Sequence, residues 1–309
     1  MVKPDKTQPS NPQSLKTQNL GHLQGPLLIF GGVYSNLQSL QALQAIASQE
    51  QIPPSNIVFT GDAVAYCADP EACVELFRTW SVHAIAGNVE LQLQAGQADC
   101  GCNFNDGSLC DRLSQQWYRY AQAQLSPASL AWMQQLPEFL RFTYAGLECL
   151  VVHGSYLETS EFVFASTPWE HKAKNFAASG ADVILSGHSG LPWHTYADQQ
   201  LWLNAGVIGM PANDGTPRVW YTKLAVLDEV TLAYSRHSYT YDVETTVQRM
   251  EQHGLPASYA ETLKTGLWED CSILPVAETR SQGQPLTEYS IQFELQSLGS
   301  DLNAAITLR

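Results

Sequence analysis

The chain has 309 residues, of which 44% are apolar, so it is long enough to bury a substantial hydrophobic core. Lys and Arg number 16 against 30 Asp and Glu, which gives a formal net charge of −14. This charge would repel a polyanion. The composition therefore argues against binding to long nucleic acid or to an anionic membrane surface.

The composition of the first residues and the number of cysteines indicate where in the cell the protein is located. Residues 1–25 are rich in Gln, Pro, Asn and Ser and contain no continuous apolar stretch like the core of a signal peptide. We therefore predict a disordered leader over 1–25 and a cytoplasmic protein. The chain has 7 cysteines, and in the cytoplasm their default state is the reduced thiol.

After the leader, short apolar runs alternate with amphipathic stretches. Buried strands are predicted at 27–30, 57–59 and 82–86 with helices between them, an order typical of a parallel sheet. Further strand patterns occur at 140–144, 148–152, 183–185, 201–203, 219–227 and 230–234. This change to mostly β structure predicts a second sheet packed on the first. We expect one α/β domain over 26–270 and a C-terminal tail over 271–309 that adds one strand.

Polar residues flanked by glycine follow several of the predicted strands. In chain order they form Gly-Asp at Asp62, Gly-Asn at Asn88, His-Gly at His153 and Gly-His at His188. Because ligands gather beyond the carboxyl ends of strands in such sheets, we expect these side chains to converge. Each dipeptide alone is a common turn signal. The ordered set predicts a shared site for a divalent Mn, Zn, Fe or Ni ion.

This ordered set resembles the calcineurin-like metallophosphoesterases, particularly their compact bacterial and archaeal phosphodiesterase branch, over roughly residues 26–255. The resemblance implies a four-layer αββα sandwich of two mixed β-sheets flanked by helices. It also implies a two-metal cleft that hydrolyses a small phosphomonoester or phosphodiester through a metal-activated water. On this comparison one metal's ligand set is complete, as Asp62, Asn88, His153 and His188.

The positions at which the family binds only the other metal carry different residues in this chain. Where the family has Asp-x-His after the first strand, this chain has Gly32 and Tyr34, and where the family has Gly-His-x-His it ends in Gly190. The histidine that steadies the phosphate and the leaving group is replaced by Val89, while its acidic neighbour is retained as Glu90. Glu90 is therefore a candidate catalytic acid or base. We expect one ion, or two ions of which the second has different ligands.

Replacement ligands for the second ion are available in the loop after Glu90 and at Tyr34. The loop carries Cys100 and Cys102 around a compact glycine, with Cys110 beyond, and thiolate ligands would favour Zn or Fe. The alternatives for these cysteines are a disulfide or redox pair, or simple packing. Tyr34 is either a phenolate ligand or an aromatic ring that fills the vacated space.

The sequence is compatible with three functions. The leading one is a metal-dependent phosphoesterase that acts on a small phosphorylated substrate, with neither long nucleic acid nor a membrane as partner. A non-hydrolytic pseudo-phosphoesterase that binds a metal or ligand is favoured by the loss of one ligand set, whereas the retention of Asp62 and Glu90 favours the enzyme. The third is non-phosphate chemistry at a thiolate-modified metal site.

Overall fold

The computed structural model describes residues 16–102, 104 and 108–299, apart from the side chain of Cys110. The strands in this part of the chain are β1 Thr17–Leu23, β2 Leu27–Phe30, β3 Ile57–Phe59, β4 His83–Ala84, β5 Phe139–Tyr144, β6 Leu147–Val151, β7 Val183–Ser186, β8 Pro192–Ala197, β9 Gln200–Ala205, β10 Val219–Asp228, β11 Thr231–Tyr239 and β12 Tyr289–Glu294. The helices are α1 Leu37–Gln49, α2 Pro70–Trp80, α3 Asn88–Gln94, α4 Leu109–Gln124, α5 Pro127–Met133, α6 Trp169–Ser179, α7 Val243–Gln252, α8 Ala257–Thr265 and α9 Val276–Arg280.

The strands form two mixed sheets of six strands each. Sheet I has the order β1-β5-β6-β7-β9-β8, and sheet II has the order β12-β11-β10-β2-β3-β4. In sheet II, β2, β3 and β4 are parallel, as the alternating β-α pattern predicts. In sheet I, β6, β7 and β9 are parallel to one another. Two sheets flanked by helices confirm the predicted fold class.

The hydrophobic core consists of three layers of side chains that separate four layers of backbone. The middle layer lies between the sheets and joins side chains such as Ile29 and Val58 of sheet II to Phe142 and Leu185 of sheet I. One outer layer packs sheet II against α1, α2, α4, α5, α7 and α8. The other packs sheet I against α6 through an aromatic cluster that includes Trp202. The continuous apolar runs of β2 and β3 are therefore buried on both faces.

The two sheets meet where β2 and β9 end. Gly31, directly after β2, forms a parallel bridge with Val207, two residues after the end of β9. A Cβ atom at Gly31 would lie 2.3 Å from the carbonyl oxygen of Gly206, so only glycine allows this approach. The loops that follow the parallel strands of both sheets are thereby gathered at one edge of the sandwich, and these loops carry the candidate ligands.

The prediction of a disordered leader is wrong for residues 17–23, which form β1 and pair in parallel with β5. The strand is polar and largely exposed, so its composition gives no burial signal. The position of β1 depends on its backbone hydrogen bonds to β5 and on the contact of Leu20 and Leu23 with the core between the sheets. Residues 1–15 lie outside the described part. Near the other end, β12 lies within the predicted tail and pairs antiparallel with β11.

Among the residues described, no helix is long and apolar enough to cross a membrane. At the start of α1 the N-cap is Asn36, whose side chain accepts a hydrogen bond from the Ser39 N–H.

Candidate metal centre

The four residues expected to bind one ion converge on His153, which follows β6. Its Nε2 atom lies 2.9 Å from Oδ1 of Asn88, 3.0 Å from Nδ1 of His188 and 3.2 Å from Oδ2 of Asp62. Two donors bound to one ion at ~2.1 Å lie ~3.0 Å apart at a right angle and ~3.4 Å apart at the tetrahedral angle. The spacing around His153 therefore fits ligand atoms that share one cation.

The hydrogen bonding of His153 supports the same conclusion. Its Nδ1 lies 2.7 Å from the carbonyl oxygen of Thr60, which only accepts, so Nδ1 carries a proton. In the neutral ring Nε2 then presents a lone pair toward an amide oxygen and a carboxylate oxygen, from Asn88 and Asp62. Such a set of facing lone pairs repels unless a proton or a metal ion lies between them. The donor set therefore fits a divalent transition metal.

Burial and neighbouring charge set the protonation of the cluster. Burial, together with the positive charge of His153, lowers the pKa of His188 to about 3, which keeps this imidazole neutral and able to bind a metal. Burial opposes ionisation of Asp62, but His153 and His188 offset it and lower the pKa of that carboxyl. For His153 burial acts in the opposite direction, and the Asp62 carboxylate raises the pKa above its ordinary value. A metal ion would take the place of that proton.

The backbone that presents Asp62 turns sharply after β3. Gly61 has φ +98°, and a Cβ atom there would lie 2.7 Å from both the Gly87 nitrogen and His153 Nδ1. Asp62 itself is left-handed, with φ 67°, as is His188, with φ 57°. Non-glycine residues adopt this conformation at a cost, which functional sites commonly carry.

Glu90 stabilises this turn and lies behind the cluster. Its buried carboxylate accepts hydrogen bonds from the backbone N–H groups of Asp62, Ala63 and Gly87, at 2.9, 2.9 and 2.8 Å. Burial and the Asp62 charge raise the pKa of Glu90 to about 7. Through these three hydrogen bonds Glu90 positions the Asp62 turn, and its role as an acid or base stays a prediction from its sequence position.

A cleft of about 830 Å³, counted to its open mouth, leads to Asp62 and His188. Its described lining combines aromatic, aliphatic and acidic side chains from the strand-end loops, α4, α8 and the segment after α8. The lining includes Tyr34, Tyr66, Cys102, Phe104, Phe162, Met210, Tyr259, Trp268, Glu269, Asp270 and Ile273. Sequence reasoning missed most of these side chains because they come from segments distant in the chain and carry no ligand pattern.

Comparison with known proteins identifies the family. Residues 33–228 match the model of the calcineurin-like phosphoesterase superfamily domain. The chain belongs to this superfamily. Its members are metal-dependent, which agrees with the cluster around His153. The match begins at the loop after β2 and ends with β10, so it includes all four converging residues.

Individual relatives share the fold at low sequence identity. The chain is 22% identical to the uncharacterized protein MJ0912 of Methanocaldococcus jannaschii, over 78% of this chain and 98% of that protein. It resembles the crystal structure of a metallophosphoesterase from Sphaerobacter thermophilus with a TM-score of 0.61 and 23% identity, covering 79% of this chain and all of the other. A hypothetical protein from Pyrococcus horikoshii, PH1004, gives a TM-score of 0.64 and 17% identity, with 79% and 99% covered.

Aromatic rings lie against Gly32 and Gly190, two positions where the resemblance places ligands of a second metal. The three nearest atoms to a Cβ built at Gly32 all belong to the ring of Tyr34, at 2.3 to 2.8 Å. A Cβ at Gly190 would lie 3.0 Å from the ring of Trp268. Val89, in the first turn of α3, is buried in the core and has no polar side-chain group. Burial and the nearby Asp62 carboxylate raise the pKa of Tyr34 well above its ordinary range, so the phenol keeps its proton as long as no cation binds beside it.

The cysteine loop differs from the thiolate site that was one of its alternatives. Cys100 and Cys102 form a disulfide, so their sulfurs are not thiolates and the expected replacement ligands are absent in this state. The loop instead supports Asn88, whose Nδ2 donates to the carbonyl oxygen of Cys100 at 2.8 Å and to Sγ of Cys102 at 3.3 Å. These bonds direct the Asn88 oxygen toward His153. Cys110 starts the first turn of α4, but its side chain lies outside the described part.

Proposed function

We propose that the protein is a metal-dependent phosphoesterase that hydrolyses a small phosphoester with a single divalent ion. Asp62, Asn88, His153 and His188 would hold the ion, with Mn, Zn, Fe and Ni as candidates. One observation carries the proposal. Donor atoms converge within 2.9 to 3.2 Å of His153 Nε2 on one side of the cleft, while the rings of Tyr34 and Trp268 lie against Gly32 and Gly190 on the other.

Residues around the ion would define the chemistry. When bound, a divalent ion supplies Lewis-acid activation of water and of a phosphoryl oxygen. The Thr60 carbonyl holds His153 in one tautomer, and Glu90 fixes the backbone of Asp62, so the ligands are oriented before substrate arrives. Because Val89 stands where the family has a histidine, the leaving group loses a donor. Such a donor is typically worth ~10²–10³ in rate, so turnover should depend on a leaving group that departs without protonation.

The reaction partners follow from charge. With a net charge of −14, the surface as a whole does not attract phosphate, so the ion would draw in the substrate. We therefore propose a small phosphorylated substrate, with neither long nucleic acid nor a membrane as partner. A cytoplasmic location remains our prediction from the composition of the chain.

The test is a metal-reconstitution assay with a histidine variant. We expect the wild-type chain to bind about one ion and to hydrolyse generic phosphomonoesters or phosphodiesters with at least one of Mn, Zn, Fe or Ni. His153→Ala/His188→Ala should lose both metal and turnover. His22→Ala/His253→Ala removes two exposed histidines outside the cluster and should change neither. Turnover that survives the first double variant would contradict the proposal.

A non-hydrolytic metal-binding protein is the second candidate. It is favoured by the same half of the cleft, since Gly32 and Gly190 carry no side chain that could bind a metal and the rings of Tyr34 and Trp268 lie against them. Both candidates predict metal-dependent stabilisation, so chelation does not separate them. Absence of turnover with every metal, in a protein that still binds about one ion through His153 and His188, would favour the second candidate.

A further inference from the structure

Two aromatic walls bound the cleft next to the metal ligands. The tyrosine wall consists of Tyr34, Tyr66 and Tyr259, with ring centroids 4.8 and 4.6 Å apart between neighbours. The phenylalanine wall consists of Phe104 and Phe162, with centroids 6.4 Å apart. All five rings line the same cleft. Aromatic faces gathered in this way favour a flat ring as ligand.

The phenylalanine wall lies directly against the metal cluster. The Phe162 ring is stacked on the imidazole of His188, with centroids 4.4 Å apart and an angle of 24° between the planes. His188 Nδ1 is one of the donors that surround His153. A phosphoester held by the ion would therefore lie beside His188 and the Phe162 ring stacked on it. The walls are placed for a ring attached directly to the phosphoester oxygen.

The charges of the residues that line the cleft disfavour a substrate with a second anionic group besides its phosphate. Among the described residues that line it, Asp62, Glu269 and Asp270 are acidic and none is Lys or Arg. A carboxylate or further phosphate on the substrate would lose water without gaining a cationic partner there. The overall charge of −14 acts in the same direction. The leaving side also lacks a histidine at Val89, and an aryl oxide can depart without a proton donor.

We infer that the substrate is a phosphoester with one phosphate and an uncharged aromatic leaving group, whose ring lies between the tyrosine wall and the phenylalanine wall. This inference rests on the proposed function and specifies the substrate class of the same site. In the reaction water forms the new bond to phosphorus and the bond to the aryl oxygen breaks. The ester and one water then give a phenol and a phosphate without any change in oxidation state.

The test compares leaving groups of similar acidity that differ in shape and charge. Phenyl, hexafluoroisopropyl and 4-carboxyphenyl esters are supplied both as phosphomonoesters and as methyl diesters, and hydrolysis is followed by phosphorus NMR. We expect kcat/KM for the phenyl ester to exceed that for the hexafluoroisopropyl ester by about tenfold, and the carboxyphenyl ester to fall below the phenyl ester. Equal rates for phenyl and hexafluoroisopropyl esters would overturn the inference.

A binding measurement separates this inference from hydrolysis itself. Phenylphosphonate and methylphosphonate are titrated calorimetrically into the metal-loaded protein, and we expect the phenyl compound to bind about tenfold more tightly. Phe162→Leu keeps an apolar side chain but removes the stacking face, and should reduce this preference to about twofold. Tyr196→Leu, at an aromatic residue 40% exposed and outside the cleft lining, should leave the preference unchanged.

The outcomes distinguish the two claims. If no ester is hydrolysed while phenylphosphonate still binds preferentially through Phe162, the proposed hydrolytic function is contradicted and the preference of the cleft for an aromatic group is supported. If esters are hydrolysed without preference for the phenyl group, the proposed function is supported and the inference fails. If neither turnover nor phosphonate binding is found, both are contradicted.

Discussion

The two sides of the cleft differ in their side chains, which are polar and able to bind a metal on one side and aromatic on the other. On what we call the ligand side, Asp62, Asn88, His153 and His188 converge, and glycine-flanked turns hold them in place. On what we call the aromatic side, glycines stand at two positions where the resemblance places ligands, and the Tyr34 ring lies over Gly32. The comparison teaches that the space beside a glycine at such a position can be filled by a packed aromatic ring while the fold stays intact.

Supporting contacts also differ between the sides. The ligand side has hydrogen bonds behind it, since Thr60 orients His153, Glu90 holds the Asp62 turn and the cysteine loop orients Asn88. The aromatic side is held by ring packing and by hydrogen bonds of Trp268, whose Nε1 donates to the carbonyl oxygen of Pro211 and whose backbone N–H donates to Oδ1 of Asn213. Its geometry should therefore be easier to change without loss of the fold.

The largest expected effect is the restoration of the second ion on the aromatic side. Gly32→Asp/Tyr34→His removes the ring that would collide with a side chain at position 32 and returns two family ligands beside Asp62. We expect a second ion to bind in the micromolar range, which corresponds to about 8 kcal/mol. Elemental analysis after dialysis measures the ratio of metal to chain. The control Tyr34→Phe keeps the ring and should bind about one ion, and the same ratio in both variants would contradict the account.

The next effect in size is on the ligand side. Glu90→Ala leaves three buried backbone N–H groups without their acceptor, and we expect the free energy of unfolding to fall by about 3–5 kcal/mol. Urea unfolding in the presence of chelator measures this without a contribution from metal. Glu75→Ala, at an exposed ion pair with Arg78, should change stability by about 0.5 kcal/mol or less. Equal effects of the two changes would show that Glu90 does not support the turn.

A smaller effect is expected at the loop behind Asn88. Cys100→Ser/Cys102→Ser removes the disulfide and one acceptor of the Asn88 amide, so we expect metal affinity to fall by about tenfold while the ratio of metal to chain is kept. Titration against a metal indicator measures both quantities. The matched control Cys67→Ser/Cys73→Ser changes two buried thiols of the helical layer, and should leave metal affinity unchanged when measured on folded protein. A lowered ratio of metal to chain in the first variant would instead support metal binding by the thiolates of Cys100 and Cys102.

A further effect lies outside both sides, at Lys172 on α6. Its Nζ donates to the Ala165 carbonyl and to Thr195 Oγ1, and burial lowers the pKa of Lys172 to about 8. Between this value and the ordinary pKa of lysine, the unfolded chain binds more protons than the folded one, so this group makes stability rise with pH. Lys172→Met should remove that rise between about pH 8 and 10 and leave metal content unchanged. Parallel pH profiles of unfolding for both proteins would contradict the assignment.

The sequence was sufficient to predict the ligand side and most strands. Asp62, Asn88, His153 and His188 each follow an apolar run, and this places them at one edge of the two sheets whatever their exact packing. The strand β1 could not be predicted, because a polar edge strand owes its place to pairing with β5 more than a hundred residues away. Tertiary hydrogen bonding overrides a composition typical of disorder.

The aromatic side and the supporting contacts could not be derived from the sequence. The role of Glu90 depends on three backbone N–H groups from two separate turns, and no spacing in the chain indicates that they meet. The position of Trp268 beside Gly190 depends on the path of the chain after α8. Only Tyr34 gave a signal, since a large ring two residues from a substituted ligand suggests space to be filled.

The central claim, that only the ligand side holds an ion, is tested most directly by the metal content of the wild-type chain purified without added metal. The account predicts about one divalent ion per chain, lost in His153→Ala/His188→Ala and retained in His22→Ala/His253→Ala. About two ions in the wild-type chain, or metal that persists in the variant without His153 and His188, would contradict it.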